Sequence, residues 1–154
     1  MTGRYVVMGV SGCGKSTVAS GLAKQLGGRF TDGDDLHSAA NIAKMAAGQP
    51  LNDDDRFPWL DRVGDTLSNG TGPQISACSA LKRIYRDRIR AAAGGPVTFV
   101  CLQGPRDLLL KRMQAREGHF MPVALLDSQL ATLELPDAAE NAVIVSIDQP
   151  PDEI

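Results

Sequence analysis

Close to its beginning the chain reads Gly9-Val10-Ser11-Gly12-Cys13-Gly14-Lys15-Ser16, and this run fits the pattern G-x-x-x-x-G-K-[ST] at every fixed position. Residues 5–8 before it are apolar and predict a buried strand. Residues 16–26 after it repeat apolar side chains at helical spacing and predict a helix that stops at Gly27. This order favours a phosphate-binding loop over a chance glycine-rich turn, because the backbone N–H groups of the loop and the helix dipole both attract anions.

The loop predicts a nucleoside triphosphate site. We expect Lys15 to reach the β- and γ-phosphates of ATP and the Ser16 hydroxyl to ligate Mg²⁺. The predicted ATP contacts are Gly9, Val10, Ser11, Gly12, Cys13, Gly14, Lys15, Ser16 and Thr17. Cys13 lies near a helix N-terminus, where a thiolate is favoured, and we hypothesise that its oxidation blocks nucleotide binding.

Composition narrows the class of protein. A length of 154 residues predicts one domain spanning 1–154. The net charge of −2 shows no excess of basic residues of the kind that binds nucleic acid. No apolar run has the length of a membrane span. The first predicted strand begins at residue 5, so we expect no signal peptide. Three cysteines without metal-ligand spacing indicate a reducing compartment, and we expect a cytoplasmic protein.

Strand and helix signals alternate along the chain. Further strands are predicted at 29–32, 74–78, 97–103 and 142–148, and further helices at 79–93, 107–116 and 123–132. A polar, helical insertion follows the second strand at about 36–67. This alternation predicts a three-layer α/β/α fold around a five-stranded parallel sheet.

Two aspartates follow the second predicted strand. The third strand ends without a carboxylate, so Asp32 and Asp34 are the candidates for the acidic groups of the site. Carboxylates at the carboxyl ends of parallel strands face the ligand crevice. We expect Asp32 to hold Mg²⁺ through water and Asp34 to orient or deprotonate an attacking hydroxyl. The alternative is an ordinary polar turn, but the missing carboxylate on strand three favours a small-molecule kinase.

Cations on the helix predicted at 79–93 suit an anionic acceptor. Lys82 and Arg86 are four residues apart beside an apolar face, so they could bind a carboxylate together. A solvated helix face explains the same spacing equally well.

The insertion is rich in Asn and Asp and poor in aromatic residues, which favours a polyhydroxylated acceptor over a nucleobase. Arg56 either pairs with an anionic group of the acceptor or is neutralised by Asp53, Asp54 and Asp55; Asp53 is instead a candidate helix cap. His37 either reaches the acceptor or lies on the surface. We expect Trp59 to be a core residue.

A lid is predicted at about 112–126. Arg112 and Arg116 are one helical turn apart, and the glycine-containing run 117–120 follows them. We expect Arg116 to neutralise the transferring phosphoryl group and Arg112 to lie against the adenine or the phosphates of ATP. The alternative is a solvated basic helix.

The chain resembles the gluconokinases of the small, phosphate-loop type, which are related in fold to shikimate kinase and the nucleoside monophosphate kinases. Matching segments cover nearly the whole chain, at residues 8–16, 32–37, 48–56, 78–87, 116–121, 128–134 and 148–150. The resemblance implies ATP-dependent phosphorylation of D-gluconate to 6-phospho-D-gluconate, often by a homodimer. Two departures are Cys13, where the family more often has Ser, and the family's C-terminal helix, which has no counterpart before Ile154.

These features together predict in-line transfer of a phosphoryl group. Lys15, Mg²⁺ and Arg116 stabilise charge and Asp34 handles the hydroxyl. Lys82 and Arg86 hold the acceptor carboxylate, with His37 and Arg56 as additional candidates. Two hypotheses compete with this one. The chain could be a kinase for a related acid such as shikimate, or a nucleotide sensor without transfer activity.

Overall fold

A computed structural model describes residues 3–10, 14–47, 49, 52–69, 72–115, 123–136 and 142–147. The strands are β1 (Arg4–Met8), β2 (Arg29–Asp32), β3 (Gln74–Ala77), β4 (Thr98–Gln103) and β5 (Ala142–Ser146). The helices are α1 (Lys15–Leu26), α2 (Ala39–Ala46), α3 (Asp53–Ser68), α4 (Arg83–Ala93), α5 (Arg106–Ala115) and α6 (Val123–Thr132), and a short 3-10 helix spans Gly33–Leu36. None of the helices in these ranges has the length and apolar character that a membrane crossing needs.

The five strands form one parallel sheet in the order β2-β3-β1-β4-β5, which confirms the predicted sheet. In the register of the sheet, Val7 and Asp32 both lie beside Ala77. The carboxyl ends of β1, β2 and β3 therefore meet at one edge. Because ligands of open α/β sheets bind outside that edge, it is the place to look for a site.

Helices cover both faces of the sheet, so the predicted three layers are present. Along β1, Val6 and Met8 belong to a core shared with α3 and α4, whereas Val7 belongs to a core shared with α1, α5 and α6. All three side chains are fully buried. A strand buried on both faces reads as a continuous apolar run, which is why β1 was recognisable without alternation.

Two helices differ from their predicted form. Helix α4 begins at Arg83 rather than at residue 79, because Ala80 has a φ of 43° and Lys82 is extended. Helix α1 differs at its end: Ala19 and Ala23 are buried and Val18 and Leu22 pack half-buried against the same core, whereas Leu26 is 41% exposed.

The start of α3 is fixed by a capping box. The Asn52 side chain accepts the Asp55 backbone N–H at 2.8 Å, and the Asp55 carboxylate accepts the Asn52 backbone N–H at 3.0 Å. The prediction that Asp53 caps this helix is wrong, since Asn52 does so. Further along α3, a Cβ on Gly64 would lie 2.7 Å from the Ile89 carbonyl oxygen, so glycine allows α3 and α4 to pack closely.

Candidate active site

The phosphate-loop end combines a left-handed glycine with a helix start that has no side-chain cap. Gly14 has a φ of 85° and offers no side chain to cap α1, so in the part of the chain that is described the N-terminus of α1 carries no side-chain cap and is suited to an anion. The Lys15 ammonium lies 3.4 Å from the Val10 carbonyl oxygen, back across the loop. Ser11, Gly12 and Cys13 lie outside the described residues. What is described has the features of an anion cradle.

Two oxygen ligands meet beside this cradle. The Ser16 hydroxyl donates to the Asp32 carboxylate at 3.2 Å, so the start of α1 and the end of β2 bring the two predicted metal ligands together. Magnesium is usually held by one or two protein oxygens, several waters and substrate phosphates, and this pair fits that pattern. The described part of the chain contains no cluster of three or more His, Cys, Asp or Glu residues that would form an all-protein metal cage.

The turn that carries Asp34 is held tightly in place. The Gly33 carbonyl oxygen accepts the indole N–H of Trp59 at 2.7 Å, and a Cβ at Gly33 would lie 2.5 Å from the Ala77 carbonyl oxygen. Asp34 follows in the 3-10 helix; its side chain lies outside the described part of the structure. The backbone thus presents Asp34 at the carboxyl edge of the sheet, next to β3.

His37 and Trp59 stack on each other, with ring centroids 4.2 Å apart and an interplanar angle of 14°. Trp59 is only 4% exposed, which confirms that it is a core residue. His37 is half-buried, and its Nδ1 lies 3.3 Å from the Asn41 side-chain nitrogen. The imidazole is therefore a fixed group beside the Asp34 turn rather than a mobile surface side chain.

A pocket of about 500 Å³ opens at the start of α3, and we call it the α3 pocket. It is lined by Asn52, Asp53, Asp54, Arg56 and Lys82. Beside it, the Tyr85 hydroxyl donates to the Asp53 carboxylate and accepts a 2.8 Å hydrogen bond from the Arg56 guanidinium. The Lys82 ammonium lies 3.4 Å from the same Asp53 oxygen.

The pKa directions agree with this network. The hydrogen bond from Tyr85 holds the pKa of Asp53 below its ordinary value, with Lys82 and Arg56 adding to the effect. Burial raises the pKa of Tyr85, and its bond to Asp53 raises it further. Asp53 is therefore ionised and Tyr85 protonated at neutral pH, which fixes Tyr85 as the donor to Asp53.

Arg56 lies near the aspartates that were the alternative to an acceptor as its partner, and its charge contributes to the lowered pKa of Asp53 and of Asp55. It forms no ion pair within 4.0 Å with any residue in the described ranges, because Asp55 is taken by Lys44 at 2.6 Å and Asp53 by Tyr85 and Lys82. Within the described ranges, the Arg56 guanidinium uses one N–H group, toward Tyr85. An arginine that lines a pocket with donors to spare is suited to binding a carboxylate.

Arg86 corrects a prediction. It has no exposed surface, and its guanidinium donates to the carbonyl oxygens of Ala80 at 2.9 Å, Leu81 at 3.2 Å and Glu134 at 2.8 Å. The prediction that Lys82 and Arg86 together hold the acceptor carboxylate is wrong for Arg86, and so is its alternative of one solvated helix face, since Lys82 precedes the helix and Arg86 is buried. Arg86 instead stabilises the backbone that carries Lys82.

The predicted lid is described only at its ends. The Arg112 guanidinium donates to the Ile147 carbonyl oxygen at 2.7 Å, just after β5. Arg106 on α5 makes contacts of 2.6 and 3.1 Å with Asp127 on α6. Arg116 and residues 117–122 lie outside the described residues. The helices on either side of the predicted lid are thus connected.

Sequence reasoning missed Tyr85, Asn52 and the polar role of Asp53. Tyr85 lies on the apolar face beside Lys82 and Arg86, which fits the burial of its ring but gives no sign of the contacts that its hydroxyl makes. The spacing from Asn52 to Asp55 was the available signal, because it matches a capping box, which marks the first turn of a helix. It would have shown that Asp55 is used in the cap, whereas Asp53 remains available to line a pocket.

Comparison with known proteins adds an independent line of observation. The AAA domain family matches residues 5–136. A gluconokinase of Gluconobacter oxydans is 50% identical over 96% of this chain and 84% of its own length, and the thermoresistant gluconokinase of Escherichia coli is 48% identical over 95% and 85%. The crystal structure of a gluconokinase from Sinorhizobium meliloti matches with a TM-score of 0.90 and 49% identity, covering 99% of this chain and 86% of that one. Shikimate kinase from Aquifex aeolicus shares the fold at 17% identity and a TM-score of 0.55.

Proposed function

The chain belongs to the gluconokinase family, and we propose that the groups at the carboxyl edge of its sheet transfer the γ-phosphoryl group of ATP to the terminal hydroxyl of D-gluconate, giving 6-phospho-D-gluconate. The observation that supports this assignment of residues is the α3 pocket, where Arg56 keeps spare donors. The pocket and the phosphate loop are connected through backbone, since the Gly9 N–H donates to the Ser79 carbonyl oxygen three residues before Lys82.

The nucleotide is held by the loop and the first turn of α1. The proposed contacts are the backbone N–H groups and side chains of Gly9, Val10, Ser11, Gly12, Cys13, Gly14, Lys15, Ser16 and Thr17. Ser16 and Asp32 are the proposed protein groups for Mg²⁺, their oxygens lying within hydrogen-bonding distance of each other. When bound there, Mg²⁺ would neutralise charge on the β- and γ-phosphates. Arg112 and Arg116 are the proposed lid contacts to ATP.

Lys15 and Asp34 are the proposed catalytic side chains, with Arg116 from the lid. Lys15 needs only to swing from the Val10 carbonyl oxygen to a phosphate, a contact it gives up at small cost because it is long and weak. Asp34 accepts the proton of the attacking hydroxyl or orients that hydroxyl toward the phosphorus atom. Positioning and charge stabilisation supply most of the rate in phosphoryl transfer, which is why rigid support of the Asp34 turn matters.

Arg56 and Lys82 are the proposed partners of the gluconate carboxylate. Arg56 offers a planar fork of donors, and Lys82 adds a second cation on the same side of the pocket. His37 is the proposed contact to a sugar hydroxyl near Asp34, because its ring is fixed by Trp59. Arg86 has no place in this arrangement, since its donors are used by carbonyl groups.

We further propose Mg²⁺ dependence, a homodimer and a cytoplasmic location. The oxygen pair at Ser16 and Asp32 supports the first. The family resemblance supports the second. Cys78 and Cys101 support the third, because both are buried cysteines outside any disulfide, as expected in a reducing compartment.

The direct test is ADP release from MgATP with D-gluconate, with shikimate, and without acceptor. We expect turnover with gluconate, little with shikimate and none without acceptor; phosphorus NMR of the product should place the phosphate on the terminal carbon. Turnover with shikimate alone would overturn the acceptor. Tight binding of ATP with no turnover on any sugar acid would favour the sensor hypothesis.

A further inference from the structure

The Tyr85 hydroxyl has no part in the scheme above, yet it connects two groups of the α3 pocket. The Tyr85 side chain is only 3% exposed. Its hydroxyl contacts both Asp53 and Arg56, and its ring centroid lies 5.4 Å from the Arg56 guanidinium carbon and 5.4 Å from the Lys82 ammonium. Both proposed carboxylate-binding cations are therefore arranged around one tyrosine.

The direction of this hydrogen-bond chain follows from the chemistry of its members. An ionised carboxylate only accepts, so the phenolic hydrogen of Tyr85 points to Asp53. A guanidinium only donates, so Arg56 must bind a lone pair of the Tyr85 oxygen. The order Arg56 to Tyr85 to Asp53 is the single arrangement that satisfies all three groups.

Packing alone does not require the hydroxyl. The ring of Tyr85 belongs to the core that α3 and α4 share with the sheet, and phenylalanine would fill the same volume. The hydroxyl is the part that leaves this core to meet two charged side chains. A charged side chain held in one orientation before its ligand arrives loses less freedom on binding.

We propose that Tyr85 is a positioning residue for the acceptor: its hydroxyl, itself oriented by Asp53, holds the Arg56 guanidinium so that the spare N–H groups of Arg56 meet the acceptor carboxylate. The inference rests on the proposed function, because Tyr85 supports Arg56, the arginine that is proposed to bind the gluconate carboxylate. It adds the reason that Arg56 forms no ion pair within 4.0 Å with the neighbouring aspartates that the structure describes.

The variant Tyr85→Phe removes only the hydroxyl oxygen. We expect the KM for gluconate to rise about tenfold, as for the loss of one hydrogen bond to a charged group, with kcat and the KM for ATP changed less than about twofold. Tyr5→Phe, at the chain's other tyrosine, is the matched control and should leave all three constants unchanged. A rise in the KM for ATP equal to that for gluconate would overturn the proposal, because it would indicate general loosening of the fold.

A double-mutant cycle separates positioning from packing. If Tyr85 acts through Arg56, then Tyr85→Phe adds little to Arg56→Lys, and the double variant has about the gluconate KM of Arg56→Lys alone. If the rise in the gluconate KM of the double variant equals the product of the rises in the two single variants, the proposal is overturned. The wild-type chain is assayed alongside, so that failure of the proposed function, seen as no phosphorylation of gluconate, is distinguished from failure of the positioning proposal. If the wild type uses shikimate instead, the cycle is measured with shikimate.

Discussion

The phosphate-loop end and the α3 pocket are built in different ways, although both lie at the carboxyl edge of the same sheet. The loop end comes from one continuous run, residues 9–16, and binds chiefly through backbone N–H groups. The α3 pocket is assembled from side chains on separate elements, such as Arg56 and Tyr85, which are 29 residues apart. A local motif reveals the first in the sequence, whereas the second exists only once α3 and α4 have packed together.

This difference predicts which substitutions affect which substrate. Changes at the loop end should alter ATP use, because the loop and the first turn of α1 are the groups proposed to hold the phosphates. Changes in the pocket should alter acceptor use, and those at its supporting residues should also alter stability.

Asp34 is expected to show the largest effect, because it serves the hydroxyl that joins the two substrates. Asp34→Asn should lower kcat by about 10²–10⁴-fold, the range for loss of a general acid–base group, while ATP binding stays near that of the wild type. Steady-state rates and a fluorescent-nucleotide titration measure the two quantities. The neighbouring Asp35→Asn, an exposed position, is the control. Near-normal turnover in Asp34→Asn would remove Asp34 from the mechanism.

Arg86 should affect folding before it affects chemistry. Arg86→Met removes the donors of three carbonyl groups, so the free energy of unfolding should fall by about 2–5 kcal/mol. Urea unfolding followed by Trp59 fluorescence measures this. Arg83→Met, whose side chain is 50% exposed, should change stability by less than about 0.5 kcal/mol. Equal stability of the two variants would restore Arg86 as a candidate ligand.

What the sequence could predict follows the same difference between the phosphate-loop end and the α3 pocket: local patterns were predicted, and contacts made by packing were not. The alternation of strands and helices predicted the sheet, and the bounds of β2 and α6 agree with those expected. Ser16 and Asp32 lie close together because they follow β1 and end β2, whose carboxyl ends meet at one edge; their role as metal ligands stays a prediction. Arg86 was misplaced because helical spacing says which residues share a face, and not whether that face is buried. The left-handed Ala80 also delays the start of α4, which no residue type in the segment signals.

The most direct test of the division compares two conservative variants, Arg56→Lys in the pocket and Ser16→Ala at the loop end, by the KM values for gluconate and for MgATP. Arg56→Lys should raise the KM for gluconate about tenfold or more and leave that for MgATP within about twofold, since lysine lacks the planar fork. Ser16→Ala should do the reverse. If Arg56→Lys raised the KM for MgATP as much as that for gluconate, or left both unchanged, the α3 pocket would not be the acceptor site.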